Sequence, residues 1–362
     1  MKWSRSNLVQ RLTAAVLTAL LLTPAMLIAG DKPLRLYGTG GTFPEPLYLS
    51  WMHSFTAEHP QIQPDYQGLS SARGLNDLAA GRVDYASADF KVSAEDAKTM
   101  ADGIIQLPMA AAGIVLIYNL PEVGQLELSR EAMAGLFSGT ISRWNDPILT
   151  KANPNARLPD LPITLVARSG ASGTSYNLTA HLSAISPDLA SRVGTTLTPN
   201  WATVIDRPGG LVRGSGNDGV TALVRSIPGA IGYVAYPYAD FTNTPMAAIE
   251  NRNGRMVAPN PISFAAAMNA ITDTTTGAAD IVTLVDPPGA EAYPIIAVSY
   301  LMLRSHYAST AKQEAILDIV EYALGPGQSI AERIGYIPFS PAAVELVREG
   351  LSPLKANAAG EQ

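Results

Sequence analysis

Leu34-Arg35-Leu36-Tyr37-Gly38-Thr39-Gly40-Gly41-Thr42-Phe43-Pro44, residues 34–44, decides the fold class. Leu34–Tyr37 reads as a short strand. It breaks on glycines and leads into a helix over Pro44–His59, in which Leu47, Trp51 and Phe55 recur at four-residue spacing with Tyr48 and Met52 beside them. Pro60 stops that helix, and Ile62–Tyr66 reads as the next strand. Arg73–Ala80 follows as a helix with Leu75 and Leu78 inward, Gly81 ends it, and Asp84–Ser87 is a third short strand. The order β-α-β-α-β predicts a parallel sheet covered by helices, an α/β fold.

The pattern continues. Gly113–Tyr118, Ile163–Ala167 and Ala230–Val234 read as buried strands, and Tyr176–Ile185 and Val220–Ser226 as helices. Asn153–Pro162 carries Pro154, Pro159 and Pro162 and reads as an irregular connection. Ile295–Leu303 is a late strand, Ala311–Leu324 a helix stopped by Gly325-Pro326, and the segment from Pro353 reads as a frayed tail. The layout suggests one α/β domain, a second, then a return to the first. A chain of this length exceeds what one hydrophobic core usually serves, so two domains are expected.

Residues 1–30 carry Lys2, Arg5 and Arg11 and no acid; an apolar run from Leu12 to Gly30 follows. Basic head, apolar middle and the small residues Ala25, Ala29 and Gly30 after Pro24 predict a cleaved secretory signal peptide, with cleavage near Ala25 or near Ala29. The alternative is a membrane anchor, which the run is about long enough to form. The chain has no cysteine, which excludes disulfides, thiolate metal sites and lipid attachment through Cys. There are 25 basic and 31 acidic residues, a net charge of −6; losing the three basic residues of the leader makes it −9. That balance argues against nucleic acid as a partner, although local donors still permit anion binding.

Two segments have the character of anion sites. Gly38–Pro44 and Arg168-Ser169-Gly170-Ala171-Ser172-Gly173-Thr174-Ser175 each place glycines and a Thr or Ser hydroxyl at a helix start. There the backbone approaches a ligand closely, and free N–H groups and the helix dipole favour negative charge. Each alone equally describes an ordinary N-cap after a turn. Neither has the Gly-Lys-Ser/Thr ending of a nucleotide P-loop. Arg168 adds a planar fork of donors suited to phosphate oxygens, and Gly68-Leu69-Ser70-Ser71 is a third candidate of the same kind. Asp89, after the third strand and expected at a sheet edge, is either a cap or a selector. A carboxylate accepts the proton of hydrogen phosphate and repels fully ionised sulfate.

Taken in order, Gly40-Gly41-Thr42-Phe43-Pro44, Tyr66-Gln67-Gly68-Leu69-Ser70-Ser71, Ile141-Ser142-Arg143-Trp144-Asn145-Asp146, Ser172-Gly173-Thr174-Ser175, Gly216-Asn217-Asp218-Gly219 and Pro228-Gly229-Ala230-Ile231-Gly232-Tyr233-Val234 resemble the periplasmic phosphate-binding proteins of ABC-type phosphate importers. The resemblance runs over roughly residues 34–340. It implies a two-lobed, type II periplasmic-binding-protein fold, each lobe a mixed, mostly parallel sheet flanked by helices. Lobe one would be residues 31–108 with 294–362, and lobe two 109–293. It implies a monomer that binds inorganic phosphate, or arsenate, in the cleft and delivers it to an inner-membrane ABC permease, with no cofactor or metal. It assigns Thr42 and Phe43 as hydroxyl and backbone donors, Ser71 as a hydroxyl, Asp89 as acceptor of the ligand proton and Arg168 as the cationic fork. Ser172, Gly173 and Thr174 become helix-end donors. One position departs from the family: Gly170 stands where a carboxylate usually pairs with the arginine two residues before it.

Three other readings are open. A secreted phosphatase would use Ser172 or Thr174 as nucleophile. Against it, the histidines His53, His59, His181 and His306 form no ligand spacing, and neither His-Glu-x-x-His nor Gly-x-Ser-x-Gly occurs. A receptor for another oxyanion such as sulfate or molybdate is the second. A scavenging or adhesion protein without a transporter is the third.

Overall fold

The computed structural model describes residues 32–98, 100, 103–272 and 285–359. The expected leader lies outside them. Strands β1 (Leu34–Gly40), β2 (Ile62–Gly68) and β3 (Tyr85–Ala88) alternate with helices α1 (Glu45–Glu58) and α2 (Ser71–Ala79), as the opening stretch predicts. β1 pairs in parallel with β2, from Leu34↔Ile62 to Gly40↔Gly68, and with β3. One face of α1 buries Leu47, Tyr48, Trp51, Met52 and Phe55, and Trp51 Nε1 donates to the Gly327 carbonyl at 2.8 Å. Each such side chain contributes ~1.5–3 kcal/mol on burial. An apolar cavity of about 30 Å³ lies beneath this helix, lined by Tyr48, Trp51, Met109 and Leu301 among others.

β4 (Ile104–Tyr118) organises the rest. Its first part pairs antiparallel with β11 (Ile296–Arg304), and β11 continues antiparallel onto β3. From Ile114 onward β4 pairs instead with β8 (Ala230–Ala235). β8 runs parallel to β6 (Thr164–Arg168), and β6 parallel to β7 (Leu211–Gly214). The eight-stranded order is β2-β1-β3-β11-β4-β8-β6-β7. Two mixed, mostly parallel half-sheets thus share one strand within the unit Leu34–Gln362. The change of partner falls at Gly113, where any Cβ would lie 2.3 Å from the Phe264 ring. β5 (Glu127–Leu128), β9 (Ala248–Glu250) and β10 (Met256–Val257) make a small separate sheet.

Helices α3 (Gly173–Ile185) and α4 (Gly216–Ser226) cover the second half-sheet, α3 through Leu178 and Leu182 and α4 through Val220 and Val224. Two expectations need correction. The segment from Pro353 belongs to a helix, α5 (Ser352–Ala359), because Leu354 is fully buried and its carbonyl accepts from Gln313 Nε2. β3, which Asp89 follows, is an interior strand between β1 and β11 and not an edge; Asp89 sits at its C-terminal end.

Candidate functional site

The candidate residues cluster beyond the C-terminal ends of parallel strands, the usual ligand position in such sheets. Thr42 and Phe43 follow β1, Ser71 opens α2 after β2, Asp89 follows β3, and Arg168 ends β6 just before α3. The structure brings all eight predicted residues together and buries them. Asp89 keeps 2% and Arg168 7% of its surface, so their charges act in a medium that screens poorly.

Asp89 is held on both oxygens. Ser299 Oγ donates to Oδ1 at 2.7 Å and Ser71 Oγ to Oδ2 at 3.3 Å, while the Asp89 amide donates to Ser71 Oγ at 3.2 Å. Burial pushes the carboxyl up to about 6, against the lowering effects of Ser299, Arg168 and Ser71. Its Oδ2 faces two glycines. A Cβ on Gly41 would come within 2.6 Å of Oδ2, and one on Gly173 within 2.3 Å of Asp89 Cβ. Only glycine lets β1's exit and the start of α3 approach the carboxylate this closely.

On the opposite side, Arg168 Nη1 donates to Thr174 Oγ1 at 3.3 Å, and its buried Nε has no acceptor among the described residues. The guanidinium pKa is lowered by burial and partly restored by Tyr233 and Asp89. Gly170 is exposed with nothing within 4 Å of where its Cβ would be, and no carboxylate pairs with Arg168 among the described residues. Ser172 Oγ caps α3 by accepting from the Ser175 amide at 3.2 Å, and the Ser172 amide donates to Leu197. Gly173 and Thr174 are therefore the first-turn amides with no acceptor among the described residues. Ser175 Oγ shares a 2.8 Å hydrogen bond with Tyr233 OH, which also accepts from the Arg168 amide at 3.3 Å; this locks the end of β6 to the start of α3.

Thr42 is fixed by Asn217 at the start of α4 and by Tyr238. Its Oγ1 accepts from the Asn217 amide at 3.2 Å and from Asn217 Nδ2 at 2.9 Å, and its carbonyl accepts from Tyr238 OH at 2.6 Å. Tyr336 OH donates to the Phe43 carbonyl at 2.6 Å. Asn177 Nδ2 donates to the Asp89 carbonyl at 2.7 Å. Ser299, Asn177, Asn217 and Tyr238 carry no site signal of their own in the motifs above. Ser299 had a readable signal, as a polar residue inside the apolar run Ile295–Leu303, where burial demands a partner.

The arrangement has the donor chemistry of a buried anion site: the Arg168 cation, helix-end amides and hydroxyls, and the Asp89 carboxylate, which can accept a proton or a hydrogen bond. A model of the PBP superfamily domain matches residues 28–315, and the chain belongs to that superfamily. Its relatives narrow the membership. It is 34% identical to the phosphate-binding protein PstS of Methanocaldococcus jannaschii, over 90% of this chain and 91% of that one, and 32% identical to PstS of Pasteurella multocida, over 92% and 94%. Within the superfamily it belongs with the PstS phosphate-binding proteins. Among solved structures, the high-affinity periplasmic phosphate-binding protein PfluDING, bound with phosphate, shares the fold with a TM-score of 0.70 at 22% identity, covering 87% of this chain and 93% of that one. The phosphate-binding protein of Stenotrophomonas maltophilia gives 0.68 at 19%, with the same coverage.

Proposed function

We propose that this protein is an extracytoplasmic receptor that captures inorganic phosphate and hands it to an ABC importer, and that it is not an enzyme. The observation that carries the reading is Asp89, a buried carboxylate in hydrogen-bond contact with two serines and packed against Gly41 at the exit of β1 and Gly173 at the N-terminus of α3. Hydrogen phosphate brings the proton that such a group needs; sulfate at neutral pH brings none. Arg168 supplies the cationic fork, Thr42 and Thr174 the hydroxyls, and Phe43, Gly173 and Thr174 the amides. Ser71 holds Asp89, and Ser172 organises the helix end. Arsenate is protonated like phosphate and enters the same site.

The lobes in this reading are residues 31–108 with 294–362, and 109–293. The exchange of partners along β4 at Gly113 and Ile114 supports a division near that point. A cleaved leader over 1–30 and a monomer delivering to an inner-membrane permease complete the proposal. No helix among the described residues is long and apolar enough to cross a membrane. The relatives' names support phosphate as the cargo. Calorimetric titration of residues 31–362 tests the reading: phosphate binds one to one, and Arg168→Ala weakens it at least ~10-fold, since a charge-assisted hydrogen bond to a buried anion is worth ~1.5–3 kcal/mol. Near-unchanged affinity in that variant would overturn the site assignment.

A further inference from the structure

A hydroxyl has one hydrogen and two acceptor lone pairs. At Thr42 both acceptor directions are taken by one residue, since the Asn217 amide and Asn217 Nδ2 both donate to Oγ1, at 3.2 and 2.9 Å. The Asn217 side chain cannot be read the other way round, because its Oδ1 accepts from the Ala235 amide at 3.1 Å. Asn217 is fully buried at the start of α4, and its carbonyl accepts from Thr221 Oγ1 at 2.9 Å. With both lone pairs engaged, the Thr42 hydrogen has to be donated elsewhere. Thr42 is followed by the donor Phe43 and preceded by Gly41, which touches Asp89. Gly216 makes the approach feasible. Its φ is +67°, and the Thr42 methyl lies 3.3 Å from where its Cβ would be.

We infer that Asn217 is a positioning residue for the anion: contact between α4 and the β1 turn makes Thr42 an obligate hydrogen donor, and so joins closure of the cleft to completion of the site. This rests on the phosphate reading above. Thr42 belongs to the segment assigned to one lobe, Asn217 to the other. When they separate, the Thr42 hydroxyl rotates freely in water and donates to the anion only at an orientational cost. When they meet, the donor is aimed beforehand, which is the source of affinity in a preorganised site.

Asn217→Asp keeps the acceptor for Ala235 and replaces the Nδ2 donor with a carboxylate oxygen. That oxygen takes the Thr42 hydrogen for itself. It also adds a negative charge, so the comparison is made in two backgrounds, with Thr42 and with Thr42→Val, by calorimetric titration of full-length mature protein with phosphate. In the Thr42 background we expect a loss of about 100-fold, as for a hydrogen bond to a charged group removed and its donor turned away. In the Thr42→Val background only the added charge acts, and the loss is ~10-fold or less. Equal losses in both backgrounds overturn the inference. If Asn217→Asp fails to fold, Asn217→Ala in the same two backgrounds serves: about 10-fold against nearly none supports the inference, and equal losses overturn it. No phosphate binding by the unsubstituted protein would instead overturn the phosphate reading itself.

Discussion

Replacing Asp89 by Asn removes a charge that the fold buries at a cost. The carboxyl rises from 3.8 to about 6, with burial the largest cause. The folded state therefore binds the proton more tightly than the unfolded state does. Stability from this group is fully present below about pH 4, is lost as the pH rises from about 4 to about 6, and stays lost above. The rise corresponds to ~3 kcal/mol at neutral pH. Asn is close in shape, and the hydroxyls of Ser299 and Ser71 rotate to donate to its carbonyl oxygen and accept from its amide. In phosphate-free buffer at pH 7.5, Asp89→Asn should thus be more stable than the parent by ~1–3 kcal/mol, a gain of several degrees in Tm. At pH 4.5 the gain should shrink to a small fraction of that. Urea unfolding at the two pH values measures both. A variant less stable than the parent at pH 7.5, or a difference that does not change with pH, would refute the claim that Asp89 is a strained buried carboxylate awaiting a proton.

Gly173→Ala puts a methyl group 2.3 Å from Asp89 Cβ, so the start of α3 cannot pack on Asp89 as it does here; phosphate affinity should fall ~100-fold or more and stability without phosphate by ~1–3 kcal/mol, checked by titration and thermal unfolding. Ser299→Ala deletes the 2.7 Å donor to Asp89 Oδ1, so the carboxyl should climb further, the stability loss that starts near pH 4 should continue to higher pH than in the parent, and phosphate should bind ~10-fold more weakly at pH 7. Unfolding curves from pH 4 to 8 and titration at pH 7 check both parts.

The elements around the site were legible because local signals agreed with the tertiary result. The 34–44 stretch, Pro60, Gly81 and the run Ala230–Val234 all mark real boundaries. β4 is legible only from Gly113 because Gln106 and Pro108 break the apolar pattern of its first half; Pro108 sits at the irregularity where β11 shifts register between Ser299 and Tyr300. The helices begin at Gly173 and Gly216, several residues before the sequence pattern shows them, since glycine, serine and asparagine in a first turn look like loop. The tail from Pro353 is polar and small in sequence, and among its residues with described burial Leu354 is the one in the core. Residues assigned to the anion follow strands and open helices, which a sequence displays. Residues that aim them do not: Asn217 reaches Thr42 across 175 positions and Ser299 reaches Asp89 across 210. Such partners depend on topology, and no spacing rule encodes them.

Selectivity rests on the Asp89 carboxylate, and one calorimetric comparison tests it: phosphate against sulfate on the unsubstituted mature protein at pH 8. Asp89 is then ionised, phosphate still carries a proton and sulfate does not. Phosphate should bind tightly and one to one, and sulfate more weakly by at least ~100-fold, the ~3 kcal/mol of an unpaired buried charge facing a second anion. Sulfate binding as tightly as phosphate would contradict it.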